Sequence, residues 1–221
     1  MHIILGGTSG LGQQVSTQLR ARGERVLVLG RHYDESRDGE GQAVDLYDTD
    51  AVSWLTDELT RRLDGEVLQS FVWTAGYGWR GRFADQDVTQ SMAEVNFAGA
   101  LPVVQWAWRR MLKQDIVGQL VVVSSTSGVT PRSDEAVYVA TKHAQVGLAR
   151  SLALEAQEQA ENIRVLLCLP GCMKTPFWDG REPDDYATFN DPKKVATKIV
   201  DAMQQQVVPY LEVSMPHGTL I

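Results

Sequence analysis

The sequence of 221 residues is poor in cysteine and histidine and carries no excess of basic residues. Two cysteines, Cys168 and Cys172, are too few for a disulfide framework, and we expect reduced thiols in a cytoplasmic protein. The four histidines form no cluster with ligand spacing, so no metal site is expected. The net charge of −7 argues against nucleic acid or an anionic membrane surface as a partner.

Long apolar runs are missing as well. No stretch approaches the roughly 20 apolar residues that cross a bilayer, so no membrane partner is expected. Residues 1–12 have the pattern of a strand and a glycine loop, and they lack the layout of a signal peptide. The length suits one domain with a full core and hardly two, so we predict a single domain over residues 1–221.

Continuous apolar strands alternate with helical stretches along the chain. The predicted strands are residues 2–5, 25–30, 43–45, 67–74, 119–125 and 163–169, with 210–213 as a seventh, edge strand. The predicted helices are residues 11–22, 49–63, 86–113 with a break near 99–102, 134–159 and 191–206. Strands without polar alternation are typical of a sheet buried on both faces. The order predicts an α/β Rossmann fold, a doubly wound and mainly parallel sheet of six to seven strands with helices on both faces.

A glycine loop follows the first predicted strand and precedes a helix. Glycines allow a tight turn and a close approach of backbone N–H groups to a pyrophosphate, whose charge then faces a helix amino terminus. This context predicts a dinucleotide site, and a plain turn between strand and helix is the alternative. The residues expected to bind the cofactor here are Gly6, Thr8, Ser9, Gly10, Leu11 and Gly12.

Arg31 stands at the end of the second predicted strand, where an acidic side chain would bind the adenosine ribose and repel a 2′-phosphate. Because the sequence has an arginine and no carboxylate there, we expect NADP(H) to be preferred over NAD(H). A solvated arginine is the alternative. Asp45 and Leu46, after the third strand, are expected to offer the adenine a carboxylate and an apolar wall.

Tyr138 and Lys142 lie four residues apart in a predicted helix, so both side chains leave the same face. An ammonium near a phenol lowers the phenol pKa from about 10, and such a tyrosine exchanges protons with a substrate oxygen. Ser125 ends the fifth strand, at the edge where open α/β sheets bind ligands. A surface pair is the alternative for Tyr138 and Lys142, and Ser124 is the alternative to Ser125, although the spacing to Tyr138 favours Ser125.

With this glycine loop, Ser125, Tyr138 and Lys142, nearly the whole chain resembles the short-chain dehydrogenase/reductase family. The resemblance implies that Ser125 orients a substrate carbonyl and that Tyr138 is the general acid/base. Lys142 would hold the nicotinamide ribose and lower the Tyr138 pKa, while Asn96 would help hold a water in a proton relay to the lysine. The implied contacts of the nicotinamide are Pro170, Gly171, Met173 and Thr175.

The chain departs from the family pattern at two motifs. Leu5 replaces the threonine that usually opens the glycine motif. The family's Asn-Asn-Ala-Gly after the fourth strand is Trp73-Thr74-Ala75-Gly76, where Ala75 and Gly76 are expected to contact the cofactor. Thr74 retains a hydrogen-bonding group, whereas Trp73 adds bulk that would affect the geometry of this loop.

The function implied by the resemblance is NADP(H)-dependent hydride transfer between the nicotinamide and a small carbonyl or alcohol substrate. The family also implies a homodimer or homotetramer. A polar and aromatic stretch, residues 175–190, is the expected substrate loop. The aromatic residues expected to line an apolar pocket are Phe177, Trp178, Tyr186, Phe189, Tyr77 and Trp79. The alternatives are a cofactor-binding sensor without turnover and another reaction such as epimerisation or dehydration, for which the sequence singles out no further acid or base.

Overall fold

A computed structural model describes residues 1–159, 162–178, 180 and 182–221. Two residues of the predicted substrate loop, Asp179 and Arg181, lie outside the described residues. Seven strands form one sheet in the order β3-β2-β1-β4-β5-β6-β7, and every neighbouring pair is parallel. The strands are β1 (His2–Leu5), β2 (Val26–Gly30), β3 (Gly41–Ala43), β4 (Ser70–Trp73), β5 (Gly118–Val123), β6 (Ile163–Pro170) and β7 (Tyr210–Met215). The predicted doubly wound α/β fold is confirmed.

The predicted helices occur in the predicted order, and a short helix between β2 and β3, α2 (Glu35–Asp38), was not predicted. They are α1 (Gly10–Ala21), α2 (Glu35–Asp38), α3 (Thr49–Arg62), α4 (Thr89–Asn96), α5 (Leu101–Leu112), α6 (Ala136–Gln159) and α7 (Pro192–Gln205). The predicted break in the long helical region is confirmed between α4 and α5. A Cβ at Gly99 would lie 1.9 Å from the Leu46 carbonyl oxygen, so this turn requires glycine. Pro102 follows in the first turn of α5, where a missing N–H costs little.

Several strand boundaries differ from the predictions by one to three residues. The fifth strand ends at Val123, two residues earlier than predicted, and the seventh ends at Met215, two residues later. The third strand is Gly41–Ala43, two residues earlier than predicted, because Asp45 turns away and its Oδ1 accepts a hydrogen bond from Tyr47 N at 3.0 Å. The fourth strand begins at Ser70, later than predicted, because Leu68 N donates to the side chain of Gln114 and not to a strand.

Alternate residues of the strands point to opposite faces of the sheet and contribute to two apolar layers, one on each face. Ile3 packs into the layer that contains Leu55 of α3, Val103 of α5 and Ala149 of α6. Its neighbour Ile4 points to the other face, towards the layer formed with α1 and α7. Full burial of one such aliphatic side chain contributes about 1.5–3 kcal/mol, so both layers are needed for stability.

Parallel pairing brings the carboxyl ends of β1, β2, β4, β5 and β6 to the same edge of the sheet. The chain winds outward in one direction from β1 through β2 to β3, and in the other direction from β4 to β7. A crevice forms at such a switch point, where the loops after β1 and β4 diverge. None of the helices in the described part of the chain has the length and apolar character needed to cross a membrane.

Candidate active site

The loop after β1 is pressed against the loop after β4. Gly6 has φ +92°, and a Cβ there would lie 2.4 Å from Ala75 N. A Cβ at Gly12 would lie 2.2 Å from Gly6 O and 2.4 Å from Thr74 Oγ1. Both positions therefore require glycine. Ser9 precedes α1 without a side-chain cap bond, so the amino terminus of this helix is arranged to receive an anion.

A cavity of about 380 Å³ lies over these loops. Every predicted cofactor residue except Gly171 lines it. These residues are Gly6, Thr8, Ser9, Gly10, Leu11, Gly12, Arg31, Asp45, Leu46, Ala75, Gly76, Tyr138, Lys142, Pro170, Met173 and Thr175. Gly171 lines a neighbouring cavity instead, because its N–H donates to Met215 O and its α-carbon packs against the backbone of His217.

The far end of the first cavity is lined by Arg31 and His32, both exposed. The guanidinium Nε of Arg31 donates to Nε2 of His32 at 3.2 Å. Among the described residues that line the first cavity, the acidic one is Asp45. Asp45 follows β3, whereas Arg31 follows β2. A cavity with exposed glycine backbone, a helix amino terminus and an arginine fits a dinucleotide.

A second cavity of about 300 Å³ adjoins the first, and Tyr138 lines both. Ser125 lines the second cavity, and its hydroxyl lowers the pKa of the neighbouring Tyr138 phenol. Its Oγ also accepts a hydrogen bond from Ser127 N at 3.1 Å, which fixes the hydroxyl at the end of β5. Ser124 Oγ donates instead to Lys142 O at 2.9 Å, so Ser124 is engaged with the backbone of α6.

The predicted aromatic residues divide among three environments. Trp79, Phe177 and Trp178 line the second cavity, together with the charged residues Arg80, Arg132 and Glu135. Tyr77 lines the first cavity, and Phe177 lines the first cavity as well as the second. Tyr186 and Phe189 line neither cavity, because Phe189 is buried and its ring packs within 5.3 Å of Trp178 and 5.2 Å of Tyr186 and His217. The predicted apolar pocket is therefore partly charged.

Lys142 is almost fully buried, although it lines the first cavity. Nζ donates to Gln145 Oε1 at 3.0 Å and to Val123 O at 3.3 Å, and it lies 5.7 Å from the centre of the Tyr138 ring. Burial lowers the pKa of Lys142 to about 7 because an ammonium loses its hydration.

Burial raises the pKa of Tyr138 above its ordinary value, and the hydrogen bond with Ser125 opposes this rise only in part. The sequence pattern predicts that Lys142 lowers the pKa of Tyr138, but in the protein alone this pKa is raised. The reason is that loss of hydration at the phenol has the largest effect on this pKa, and the nearby Glu135 and Cys172 raise the pKa further. The phenol is accordingly neutral, which is the form that donates a proton.

Asn96 is fully buried and lines neither cavity. Its Oδ1 accepts from Tyr77 N at 2.8 Å, while its Nδ2 donates to Tyr77 O at 2.8 Å and to Thr141 Oγ1 at 3.1 Å. These bonds fasten the loop after β4 to α6. Asn96 thus sets the distance between the wall of the first cavity and the helix that carries Tyr138 and Lys142.

Comparison with known proteins identifies the family. Residues 1–185 match the family model described as short chain dehydrogenase. The chain belongs to the short-chain dehydrogenase family. A protein of Staphylococcus epidermidis named as an uncharacterized oxidoreductase is 28% identical over 211 residues, covering 91% of this chain and 87% of its own.

One further relative and one solved structure are also similar to this dehydrogenase. Carbonyl reductase family member 4 of Xenopus tropicalis is 25% identical over 224 residues, which cover 94% of this chain and 91% of the relative. The solved structure of ElxO with NADP bound has a TM-score of 0.81 at 20% identity and covers 99% of this chain and 98% of its own. This structure shows the shared fold, and the family membership makes the protein an oxidoreductase.

The dehydrogenase accommodates its departures from the family motif without opening the loop after β4. Thr74 Oγ1 donates to Leu5 O at 3.0 Å, which ties β4 to β1. Trp73 is fully buried and stacks on Phe97 with ring centres 6.3 Å apart, so its bulk fills the core and not the cavity.

Sequence reasoning missed two residues that lie next to the predicted site residues. Glu135 lines the second cavity, and burial raises the pKa of its half-buried carboxyl. Gln145 contacts Lys142 directly. Each lies three residues from a predicted site residue, Tyr138 or Lys142. Helical spacing of three was therefore the available signal.

Lys142→Met is expected to stabilise the dehydrogenase more at about pH 6 than at about pH 9. The pKa of Lys142 is about 7 in the folded protein and 10.5 in an unperturbed lysine, so the unfolded chain binds this proton more tightly. The cost of burying the ammonium is complete below about pH 7 and declines as the pH rises towards 10.5. The difference in unfolding free energy between the two pH values is roughly 2–3 kcal/mol.

Thermal and urea unfolding at both pH values measures this effect, and the hydrogen bonds lost in the variant cancel in the comparison. Lys198→Met on the exposed side of α7 is the matched control, and it is expected to have the same effect at both pH values. A Lys142→Met effect that does not change with pH would contradict the assignment of a buried, titrating ammonium.

Proposed function

We propose that this dehydrogenase is an NADP(H)-dependent enzyme that reduces the carbonyl group of a small molecule or oxidises the corresponding alcohol. The observation that carries the proposal is the position of Tyr138 on the wall between two adjoining cavities. One cavity has the glycine loop and the other has Ser125, so a proton donor at their boundary serves a reaction between a dinucleotide and a second molecule.

The cofactor is proposed to bind in the first cavity. Gly6 and Gly12 keep the backbone clear of side chains, and Arg31 would pair with a 2′-phosphate at the end of β2. The NADP bound by ElxO, a protein of the same fold, is consistent with this choice. When bound, the nicotinamide supplies a hydride to the carbonyl carbon or accepts one from the alcohol.

Three side chains are proposed to handle the proton. Ser125 donates a hydrogen bond to the carbonyl oxygen as negative charge develops there. Tyr138, kept as a neutral phenol by burial, transfers its proton to that oxygen. The ammonium of Lys142 stabilises the phenolate that remains, and it holds the cofactor ribose. Asn96 maintains the spacing between these groups and the loop after β4. In alcohol oxidation the same groups act in reverse.

The substrate is proposed to be a carbonyl compound with an apolar or aromatic substituent. Trp79, Phe177 and Trp178 provide the apolar wall of the second cavity. The name of the Xenopus relative, a carbonyl reductase, is consistent with this substrate class. The substrate loop, residues 175–190, is anchored at its end by buried Asn190, whose N–H donates to Cys172 O at 3.0 Å.

A homodimer or homotetramer in the cytoplasm completes the proposal. Leu112 of α5 and Leu154 of α6 are 44% and 59% exposed, so each offers apolar surface for burial between copies of the chain. Cys168 and Cys172 are free thiols, as is usual in a reducing compartment.

Sedimentation equilibrium is expected to give a mass of two or four chains, and Leu154→Glu is expected to lower this mass. A monomeric mass for the unmodified protein would contradict the assembly.

Tyr138→Phe is expected to abolish NADPH-dependent turnover and to leave NADPH binding largely intact. The substitution removes the transferable proton but keeps the ring between the two cavities. Loss of a general acid lowers kcat by at least about 10²–10⁴-fold. The measurements are NADPH consumption with a panel of aldehydes, ketones, quinones and 3-oxoacyl esters, and a fluorescence titration with NADPH.

Tyr210→Phe is the matched control, since that hydroxyl pairs with Glu212 at the other end of the sheet. Turnover of Tyr138→Phe equal to that of the unmodified protein would contradict the acid/base role. NADPH binding by the unmodified protein without any turnover across the panel would favour the sensor interpretation.

Arg31→Ala is expected to raise the Kd for NADPH by roughly tenfold to a hundredfold and to change the Kd for NADH little. The reason is that a charge-assisted hydrogen bond to the 2′-phosphate is lost only with NADPH. Titration with both cofactors measures the ratio. Arg61→Ala, at an exposed ion pair with Glu58 on α3, is the control and should change neither Kd. Equal weakening of both cofactors by Arg31→Ala would argue against recognition of the 2′-phosphate.

A further inference from the structure

The buried side-chain amide of Gln145 connects Lys142 to the end of α4. Gln145 is fully buried on α6, one turn after Lys142. Its Oε1 accepts from Lys142 Nζ at 3.0 Å, and its Nε2 donates to Asn96 O at 2.8 Å. The carboxamide therefore spans the space between the ammonium and the last residue of α4.

A glutamine at this position is costly unless both of its ends are bonded, because burial removes the hydration of the amide. The residues that α6 buries next to it include Val146 and Ala149, which belong to the apolar layer on this face of the sheet. An apolar side chain would suit those neighbours. The two hydrogen bonds to Lys142 and Asn96 offset the cost of the amide and indicate that the position requires both a donor and an acceptor.

Among the genetically coded side chains of this length, the carboxamide matches both of its partners. The ammonium needs an acceptor, and the carbonyl oxygen of Asn96 needs a donor. A carboxylate would accept from the ammonium but would face Asn96 O with a second acceptor. A methionine has nearly the same length and offers neither bond. The amide is an anchor and not a proton relay, since its N–H groups do not ionise near neutral pH.

We propose that Gln145 is a positioning residue, which holds the Lys142 ammonium against the main chain of Asn96 at the wall of the cofactor cavity. The assignment rests on the proposed function for its catalytic meaning. Gln145 reaches no reacting atom itself, since it lines neither cavity. It acts through Lys142, whose charge the proposed mechanism requires beside Tyr138.

The same contact opposes the effect of burial on the lysine. An acceptor bonded to Nζ favours the ammonium over the neutral amine. The groups near Nζ are the Val123 carbonyl oxygen of β5, and Gln145 and the Tyr138 ring of α6. The loop after β4 is also close, since a Cβ at Gly76 would lie 3.8 Å from Nζ. Tyr138 is the titratable group among these, and burial alone accounts for the lowered pKa of Lys142 in the described surroundings.

The test compares Gln145→Met with Gln145→Glu in the full-length protein labelled with ¹³C-lysine. The Cε resonance of Lys142 is assigned by its loss in Lys142→Met, and its titration midpoint is followed by NMR. Gln145→Met is expected to lower the midpoint by about one pH unit, because one charge-assisted hydrogen bond is lost. Gln145→Glu is expected to raise it, because a carboxylate attracts the ammonium more strongly than an amide does.

Gln119→Met is the matched control. Gln119 is also buried, and its Nε2 donates to Gln206 Oε1 at 2.7 Å near the start of β5, at the opposite end of the sheet from the site. This variant is expected to lose stability and to leave the Lys142 midpoint unchanged. Both Gln145 variants losing stability with an unmoved midpoint would show a merely structural role and overturn the assignment.

Steady-state kinetics supply the second readout. With an alcohol substrate found in the panel, the ascending limb of kcat against pH is expected to move to higher pH in Gln145→Met, since a less charged Lys142 stabilises the Tyr138 phenolate less. Shifted Lys142 midpoints in a protein without turnover would refute the proposed function but retain Gln145 as the anchor. Turnover with unshifted midpoints would overturn the role of Gln145 alone.

Discussion

Parallel pairing of the central strands is the constraint on which the site depends. β1 pairs with β4 and β4 with β5 in a register that aligns Leu5, Trp73 and Val122. The loops that follow these residues must leave from one edge of the sheet. There the backbone of Gly6 meets that of Ala75, with no room for a Cβ between them. This close contact leaves the space above the edge open for two adjoining cavities, and α6 closes it from the side.

The site is built at a cost in stability. Lys142 has its ammonium in a position where burial shifts its pKa to about 7, which means that the folded protein disfavours the charge at low pH. A backbone carbonyl of β5 and the amide of Gln145 bond this ammonium. Buried polar groups that are fully bonded keep one geometry, because any displacement leaves a group unsatisfied. The bonded polar groups of Asn96, Gln145 and Lys142 therefore cost stability, but they fix the distance between α6 and the loop after β4.

Burial has opposite consequences for the two titrating side chains at the boundary of the cavities. It keeps Tyr138 protonated and makes Lys142 easier to deprotonate, because in both cases the neutral form needs less hydration. The proposed mechanism uses the neutral phenol of Tyr138 as the proton donor. Glu135, Arg80 and Arg132 add charge to the second cavity, so its walls are amphipathic.

Local patterns in the sequence were enough to predict the order of strands and helices, the glycine loop, and the shared face of Tyr138 and Lys142. Such features depend on residues close together in the chain, whose periodicity and spacing are visible without a structure. The tertiary structure alone decided the different environments of Ser124 and Ser125, the packing of Phe189 away from the cavities, and the bond between Gln145 and Asn96. It also decided the direction of the Tyr138 pKa shift. Contacts between distant segments and the loss of hydration arise only when the chain is folded.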